Sequence, residues 1–200
     1  MCAQGKNQSP INLADFIEAD LPALEFAYQA TVTEILNNGH TVQVNYALGG
    51  MMTVDGDTFD LKQFHFHAPS ENQIEGISFP MEAHFVHADP DGHLAVIALM
   101  FAEGESHPVI EALWASLPMD EGDTHALDIE VDPLALLPEN TDYYRSNGSL
   151  TPPPCSEGVW WLVMKQAVSV SVEQVEAFTH ALHEPNNRPV LPVNARPILQ

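Results

Sequence analysis

Along most of this chain apolar and polar residues alternate over short stretches, and turn signals break the alternation. Successive side chains of a strand point to opposite faces, so such stretches predict β-strands. Strands are predicted at Leu24–Tyr28, Thr31–Leu36, Thr41–Tyr46, Met51–Val54, Phe59–His67, Met81–Ala88, Leu94–Phe101, Ala126–Val131 and Val159–Val170. Asn38-Gly39, Gly49-Gly50, Asp55-Gly56 and Asp91-Gly92 separate several of them, as hairpin turns do. Two segments carry helical spacing instead. His107–Leu117 places Val109, Ile110, Leu113, Trp114 and Leu117 on one side. Val172–His183 follows Ser171, with Gln174 three positions on, the pattern of a capping box. The proline-rich stretch Pro185–Pro197 predicts irregular chain. The fold class is therefore mainly β (α+β): an antiparallel-rich sheet with a few peripheral short helices. A sandwich, a barrel or one large mixed sheet all satisfy this pattern.

The strand at Phe59–His67 ends in Gln63-Phe64-His65-Phe66-His67, and the strand at Met81–Ala88 contains Glu82-Ala83-His84. Alternation puts Gln63, His65 and His67 on one face and Phe64 and Phe66 on the other. Glu82, His84 and Val86 share a face of the later strand. Three imidazoles can then meet at one point, with Gln63 and Glu82 beside them to take their second N–H groups. Neutral nitrogen ligands in this number suit zinc. An iron site of cupin type, with Glu71 or Glu82 as a ligand, is the competing reading of the same residues. His87, His93, His107, His125, His180 and His183 lack the pattern and are taken as surface or core residues.

Charge narrows the partners. Acidic residues number 28 against 6 basic ones, a net charge of −22. Phosphate backbones are repelled by such a surface, which excludes nucleic-acid binding, and anionic membranes are disfavoured likewise. No apolar run reaches the roughly 20 residues of a membrane span. The opening Met1-Cys2-Ala3-Gln4-Gly5 has neither the basic nor the apolar region of a signal peptide. Two hundred residues suit one domain spanning 1–200. Cys2 and Cys155 are the two cysteines. Taken alone they fit a bridge or two free thiols equally well.

Several motifs in order carry a resemblance. Gln63–His67, then Pro69-Ser70-Glu71, then Glu82-Ala83-His84-Phe85-Val86-His87, is similar to an α-class carbonic anhydrase of bacterial type. So are Gly5-Lys6-Asn7-Gln8-Ser9-Pro10-Ile11, Asn37-Asn38-Gly39-His40, Gly148-Ser149-Leu150-Thr151 with Pro153-Pro154-Cys155-Ser156-Glu157-Gly158 and Trp161, and Asn186-Asn187-Arg188-Pro189. The resemblance implies a large twisted, mostly antiparallel central sheet of about ten strands. It implies reversible hydration of carbon dioxide to bicarbonate and a proton, with zinc hydroxide as nucleophile and esterase side activity. His65, His67 and His84 are then the zinc ligands, and Gln63 and Glu82 the partners of His65 and His84. Thr151 takes the proton of the hydroxide and donates its own to Glu71. Val86, Val96, Leu150, Val159 and Trp161 form the apolar substrate wall, and His40 shuttles protons to buffer. Sulfonamides and anions are the implied inhibitors. A Cys2–Cys155 disulfide and a periplasmic or secreted location are implied, and a homodimer is a candidate assembly. The chain departs from the family at Pro152, where a second threonine is usual, at Ser146, usually tyrosine, and at Asn72, often histidine. It also lacks the usual N-terminal Trp-Gly-Tyr segment.

Overall fold

The computed structural model describes residues 2–28, 32–47, 49–127 and 131–200. Among the described residues thirteen strands and two α-helices run in chain order: β1 Asn12–Leu13, β2 Glu25–Tyr28, β3 Val32–Asn37, β4 Val42–Tyr46, β5 Gly50–Val54, β6 Asp57–His67, β7 Gln73–Ile74, β8 Met81–Ala88, β9 Leu94–Glu103, α1 Pro108–Trp114, β10 Thr124–Ala126, β11 Tyr143–Ser149, β12 Glu157–Met164, β13 Val168–Val170 and α2 Val172–Leu182. Among the described residues eleven strands join one sheet, whose spine runs β10-β3-β4-β6-β8-β9-β12-β11. All its pairings are antiparallel except those of β9 with β12 and with β13. The expected mostly antiparallel sheet is thus one large mixed sheet rather than a sandwich or barrel. β1 and β7 form a separate parallel pair.

Most predicted strands appear close to their expected bounds. The start of the strand predicted from Thr31, and Asp128–Glu130 of the one predicted over Ala126–Val131, lie outside the described residues; of the latter only Ala126 is strand, as the end of β10, and Leu127 and Val131 are not. The long run Val159–Val170 is two strands, because Lys165, Gln166 and Ala167 turn the chain between β12 and β13. Strand β11 was not predicted. Its sequence, Tyr-Tyr-Arg-Ser-Asn-Gly-Ser, shows no apolar alternation, and it is held by pairing with β12.

The sheet has two unlike faces. One carries Phe64, Phe66, Phe85, Ile97, Leu99, Phe101, Leu162 and Met164, and packs under the helices through Ile110, Leu113 and Phe178. The other carries a smaller apolar cluster that includes Val96, Ala98, Met100, Val159, Trp161 and Val163. Strand β6 changes phase between these faces. Phe59 and Leu61 face the large core at odd positions, whereas Phe64 and Phe66 do so at even ones. A bulge between Leu61 and Gln63, opposite β8, supplies the extra residue, Lys62, and re-aims everything after it. Gln63, His65 and His67 thereby leave the core face together. At the other end of β6, Asp55 and Gly56 both take positive φ, +57° and +84°, and close the β5–β6 hairpin tightly.

Helix α2 begins as the sequence predicts. Ser171 accepts from the Gln174 backbone N–H while the Gln174 side chain reaches back to Ser171 N. Gln174 also grips the His107 backbone at N and O, so one residue fastens the starts of both helices. The helices are shorter than expected, α1 ending at Trp114 and α2 at Leu182, with His183 in the left-handed conformation at φ 65°.

Candidate metal centre

Register brings the chemistry together. Across the sheet Gln43, His65, His84, Ala98, Val163 and Tyr144 stand in one row, and Gln63, Val86, Val96, Trp161 and Ser146 in the next. His65 and His84 are direct cross-strand neighbours, and His67 lies two residues along β6. The three ring centroids are 4.6 to 5.3 Å apart. One nitrogen from each ring falls within 4.8 Å of the others.

In each ring the remaining nitrogen is already engaged. His65 Nδ1 pairs with Gln63 Oε1 at 2.9 Å, His84 Nε2 with Glu82 Oε1 at 2.9 Å, and His67 Nδ1 with the Asn186 carbonyl at 3.2 Å. Carbonyl and carboxylate oxygens only accept, so each of these nitrogens carries the proton. That leaves His65 Nε2, His67 Nε2 and His84 Nδ1 with lone pairs turned to the centre. Gln63 and Glu82 stand where the sequence placed them. The Asn186 carbonyl was missed as a partner, since it arrives from far along the chain. The same residue's side chain accepts from Ala68 N and donates to the carbonyls of His40 and Phe66.

Burial shapes the protonation of the set. His65 is pushed well below the ordinary imidazole value by burial and by its neighbours His67 and His84. His67 is lowered as well, burial outweighing the attraction of Glu71 and Glu82. For His84 burial also works downward, but the charge and hydrogen bond of Glu82, with Glu71 behind them, raise it. Burial likewise opposes charge on Glu82, yet His84 and the donors of Asn72 hold that carboxyl below its usual range. The result is a buried anion beside three imidazoles, an arrangement a dication satisfies.

A second carboxylate sits at the centre. Glu71 is buried; its Oε1 accepts from Arg188 N at 2.8 Å, and its Oε2 lies 3.5 Å from His67 Nε2 and 3.8 Å from His84 Nδ1. Among the described residues, His67 Nε2 and Glu71 Oε2 are buried side-chain polar atoms without a hydrogen-bond partner. Two orphaned polar atoms facing one another fit a metal and its bound solvent. The expected hydrogen bond from Thr151 to Glu71 is not formed, because Oε2 leans toward the two imidazoles instead. The competing use of Glu82 as a ligand is excluded by its bonds: both its oxygens are already taken by N–H groups.

A cleft of about 560 Å³ opens over the centre, lined by His40, His65, His67, Glu71, Thr151 and the Cys2–Cys155 disulfide, among others. The disulfide closes a separation of 153 residues, for which the loop-entropy account gives up to about 5 kcal/mol. Ser9 and Ser149 exchange hydrogen bonds beside it, and Gly148 lets Ser9 and Trp161 approach where a Cβ would clash. The five predicted wall residues gather in or against the smaller apolar cluster. Trp161 meets the edge of His84 at 4.8 Å. They back the centre, while Leu182, Pro152, Pro153 and Pro185 supply the apolar lining of the open cleft.

A broad mixed sheet with a buried three-histidine centre at the foot of a cleft has known counterparts. A family model described as eukaryotic-type carbonic anhydrase matches residues 1–200. A carbonic anhydrase of Pectobacterium carotovorum is 47% identical over 199 residues, covering 100% of this chain and 82% of that protein. The Photobacterium profundum alpha-carbonic anhydrase superposes with a TM-score of 0.96 at 48% identity, covering 100% of this chain and 91% of the other. The Thermovibrio ammonificans enzyme, solved with the inhibitor sulfanilamide, gives 0.95 at 47% identity, over 98% of this chain and 88% of the other. The chain belongs to the eukaryotic-type, or alpha, carbonic anhydrase family, and its enzyme class is lyase. Its bacterial relatives and its disulfide fit an extracellular or periplasmic protein. Among the described residues no helix is long and apolar enough to cross a membrane.

Proposed function

We propose that the protein reversibly hydrates carbon dioxide to bicarbonate and a proton, with zinc held by His65 Nε2, His67 Nε2 and His84 Nδ1. The observation that carries this reading is the division of each imidazole: one nitrogen fixed by Gln63, Glu82 or the Asn186 carbonyl, the other free toward a common point. When bound there, zinc would supply a Lewis acid that lowers the pKa of water to about 7. Neutral imidazoles leave its charge undiminished. Turning Glu71 Oε2 from the imidazoles to the Thr151 hydroxyl completes a proton relay, in which Thr151 accepts from the nucleophile and donates to Glu71. With that relay in place, one lone pair of the nucleophile would be aimed at the carbon of carbon dioxide, whose C=O π pair would pass to oxygen. Val86, Val96, Leu150, Val159 and Trp161 offer carbon dioxide an apolar surface, suited to a small uncharged substrate. The proton released leaves by His40, an exposed cleft residue whose carbonyl is held by Asn186. An imidazole exchanges protons readily near neutral pH. Sulfonamides and anions compete for the same position. The disulfide supports an oxidising compartment, the periplasm or the exterior.

Metal analysis combined with stopped-flow hydration tests this. Near-stoichiometric zinc and fast hydration, abolished by an aromatic sulfonamide, are expected. His40→Ala should slow turnover in dilute buffer and recover with imidazole. Zinc bound without hydration overturns the reaction; an unchanged His40→Ala rate removes His40 from it.

A further inference from the structure

The carboxylate of Glu82 is itself held by more than His84. Its Oε2 accepts from two backbone donors, Glu71 N at 2.7 Å and Asn72 N at 2.9 Å. Its Oε1 is shared between His84 Nε2 at 2.9 Å and Asn72 Nδ2 at 2.7 Å. Asn72 is 2% exposed, and its remaining oxygen, Oδ1, accepts from Ile11 N at 3.1 Å. The two backbone bonds pin only one end of the carboxylate. The Asn72 amide is the side-chain donor that stops the other end from turning about that pivot. A carboxylate free to turn no longer meets His84 Nε2 squarely, and the ring it orients loses its aim.

We propose that Asn72 is a positioning residue for the metal centre: it fixes Glu82 so that His84 Nδ1 faces the zinc position, and it ties that geometry to the N-terminal segment at Ile11. This rests on the zinc reading of the three histidines. The grip reaches further through that segment. Ser9 N is bonded to Ser149 Oγ, close before Thr151 in sequence, and Arg188 donates through its side chain to Gln8 Oε1 and the Ser9 carbonyl. The backbone N–H of Arg188 holds Glu71. One segment thus carries bonds to the supports of His84, Glu71 and the threonine loop.

Asn72→Asp separates the two tasks of the side chain. It keeps an acceptor for Ile11 N and nearly the same shape, but it sets an oxygen where Glu82 Oε1 needs a donor. Asn72→His restores an N–H at that place. The test is zinc competition against a chelator, using apo-protein of the wild type and of Asn72→Asp, Asn72→Ala and Asn72→His, with apo-protein melting recorded in parallel. Asn72→Asp and Asn72→Ala should raise the zinc Kd at least about tenfold, the scale of outer partners of metal ligands. Asn72→His should regain most of that loss. If the Asp variant does not fold, Asn72→Ser, which lacks the reach of the amide, takes its place with the same expected loss. A zinc Kd within about twofold of wild type in the folded variants overturns the proposal, even if melting falls. Wild type that takes up no zinc instead defeats the zinc reading itself, and shows this before any variant is compared.

Discussion

The two faces of β6 and β8 come from the same residues in alternation and are held in opposite ways. On the core face Phe64 stacks on Phe85 with centroids 5.3 Å apart, and Phe66 packs against Trp114 and Phe178 at 5.0 and 6.2 Å. These contacts need volume and little direction. On the other face each of His65, His67, His84 and Glu82 needs a specific partner at a specific angle. Those partners come from β6 and β8 themselves, from the turn at Glu71 and Asn72, and from Asn186. The difference teaches what each face tolerates. An apolar face absorbs exchanges that conserve volume. A buried polar face fails when a single partner is lost, because an unpaired group in a low dielectric is costly.

The largest expected effect tests that contrast directly. Phe66→Ala should cost about 3–5 kcal/mol of stability, measured as a shift in denaturant midpoint. Gln63→Ala, on the opposite face of the same strand, should cost far less stability yet weaken zinc binding about 10- to 100-fold. Equal stability losses for the two would erase the distinction between the faces.

The next effect concerns a histidine on the wrong side of that division. His87 is fully buried on the core face, with Nδ1 against the Phe85 carbonyl at 3.0 Å and Nε2 against the Tyr28 hydroxyl at 2.6 Å. Burial pushes it down from 6.5 to about 4. The folded protein therefore refuses a proton that the unfolded chain accepts. Its stabilising contribution is complete above pH 6.5 and is lost as the pH falls toward 4, amounting to ~3 kcal/mol over that window. Urea unfolding at pH 7 and near pH 4 should show this decline, and His87→Gln, which keeps an acceptor for Tyr28, should lack that part of it. A variant with the same decline as wild type assigns the acid sensitivity elsewhere.

The smallest effect sharpens the picture of how the core face is covered. Ser171→Ala removes the cap of α2, whose Phe178 lies in that core, and should cost about 1 kcal/mol in thermal unfolding without altering zinc affinity. A change in zinc affinity would mean the helix start and the metal centre are coupled through the sheet.

Where local pattern and tertiary need agree, the sequence is legible. Strands β6 and β8 declare themselves because one face is apolar, and the same alternation sets the three histidines, Gln63 and Glu82 on one side. The bulge at Lys62 is visible in hindsight, as a slip from Phe59 and Leu61 at odd positions to Phe64 and Phe66 at even ones. Strand β11 is illegible, because polar residues such as Arg145 and Asn147 pair there through the backbone, which composition does not record. The two-residue strands β1 and β7 are too short for any period to show. At the site, the Asn186 carbonyl, the Arg188 N–H and the grip of Asn72 on Glu82 have no signature, since each depends on chain returning from far away.

By itself, then, the sequence determined the alternating strands, the shared face of the imidazoles, the capped helix α2 and a net charge of −22. Those follow from side-chain period, local hydrogen bonding and net charge, which act over neighbouring residues or over the whole sum. Only the tertiary structure decided that the strands form one mixed sheet, and that Glu71 is buried beside the imidazoles with its Oε1 held by Arg188 N. It also decided which nitrogen of each histidine is left free. The reason is directional: a buried polar atom takes whichever partner the folded chain brings within about 3 Å, and that partner is chosen by topology.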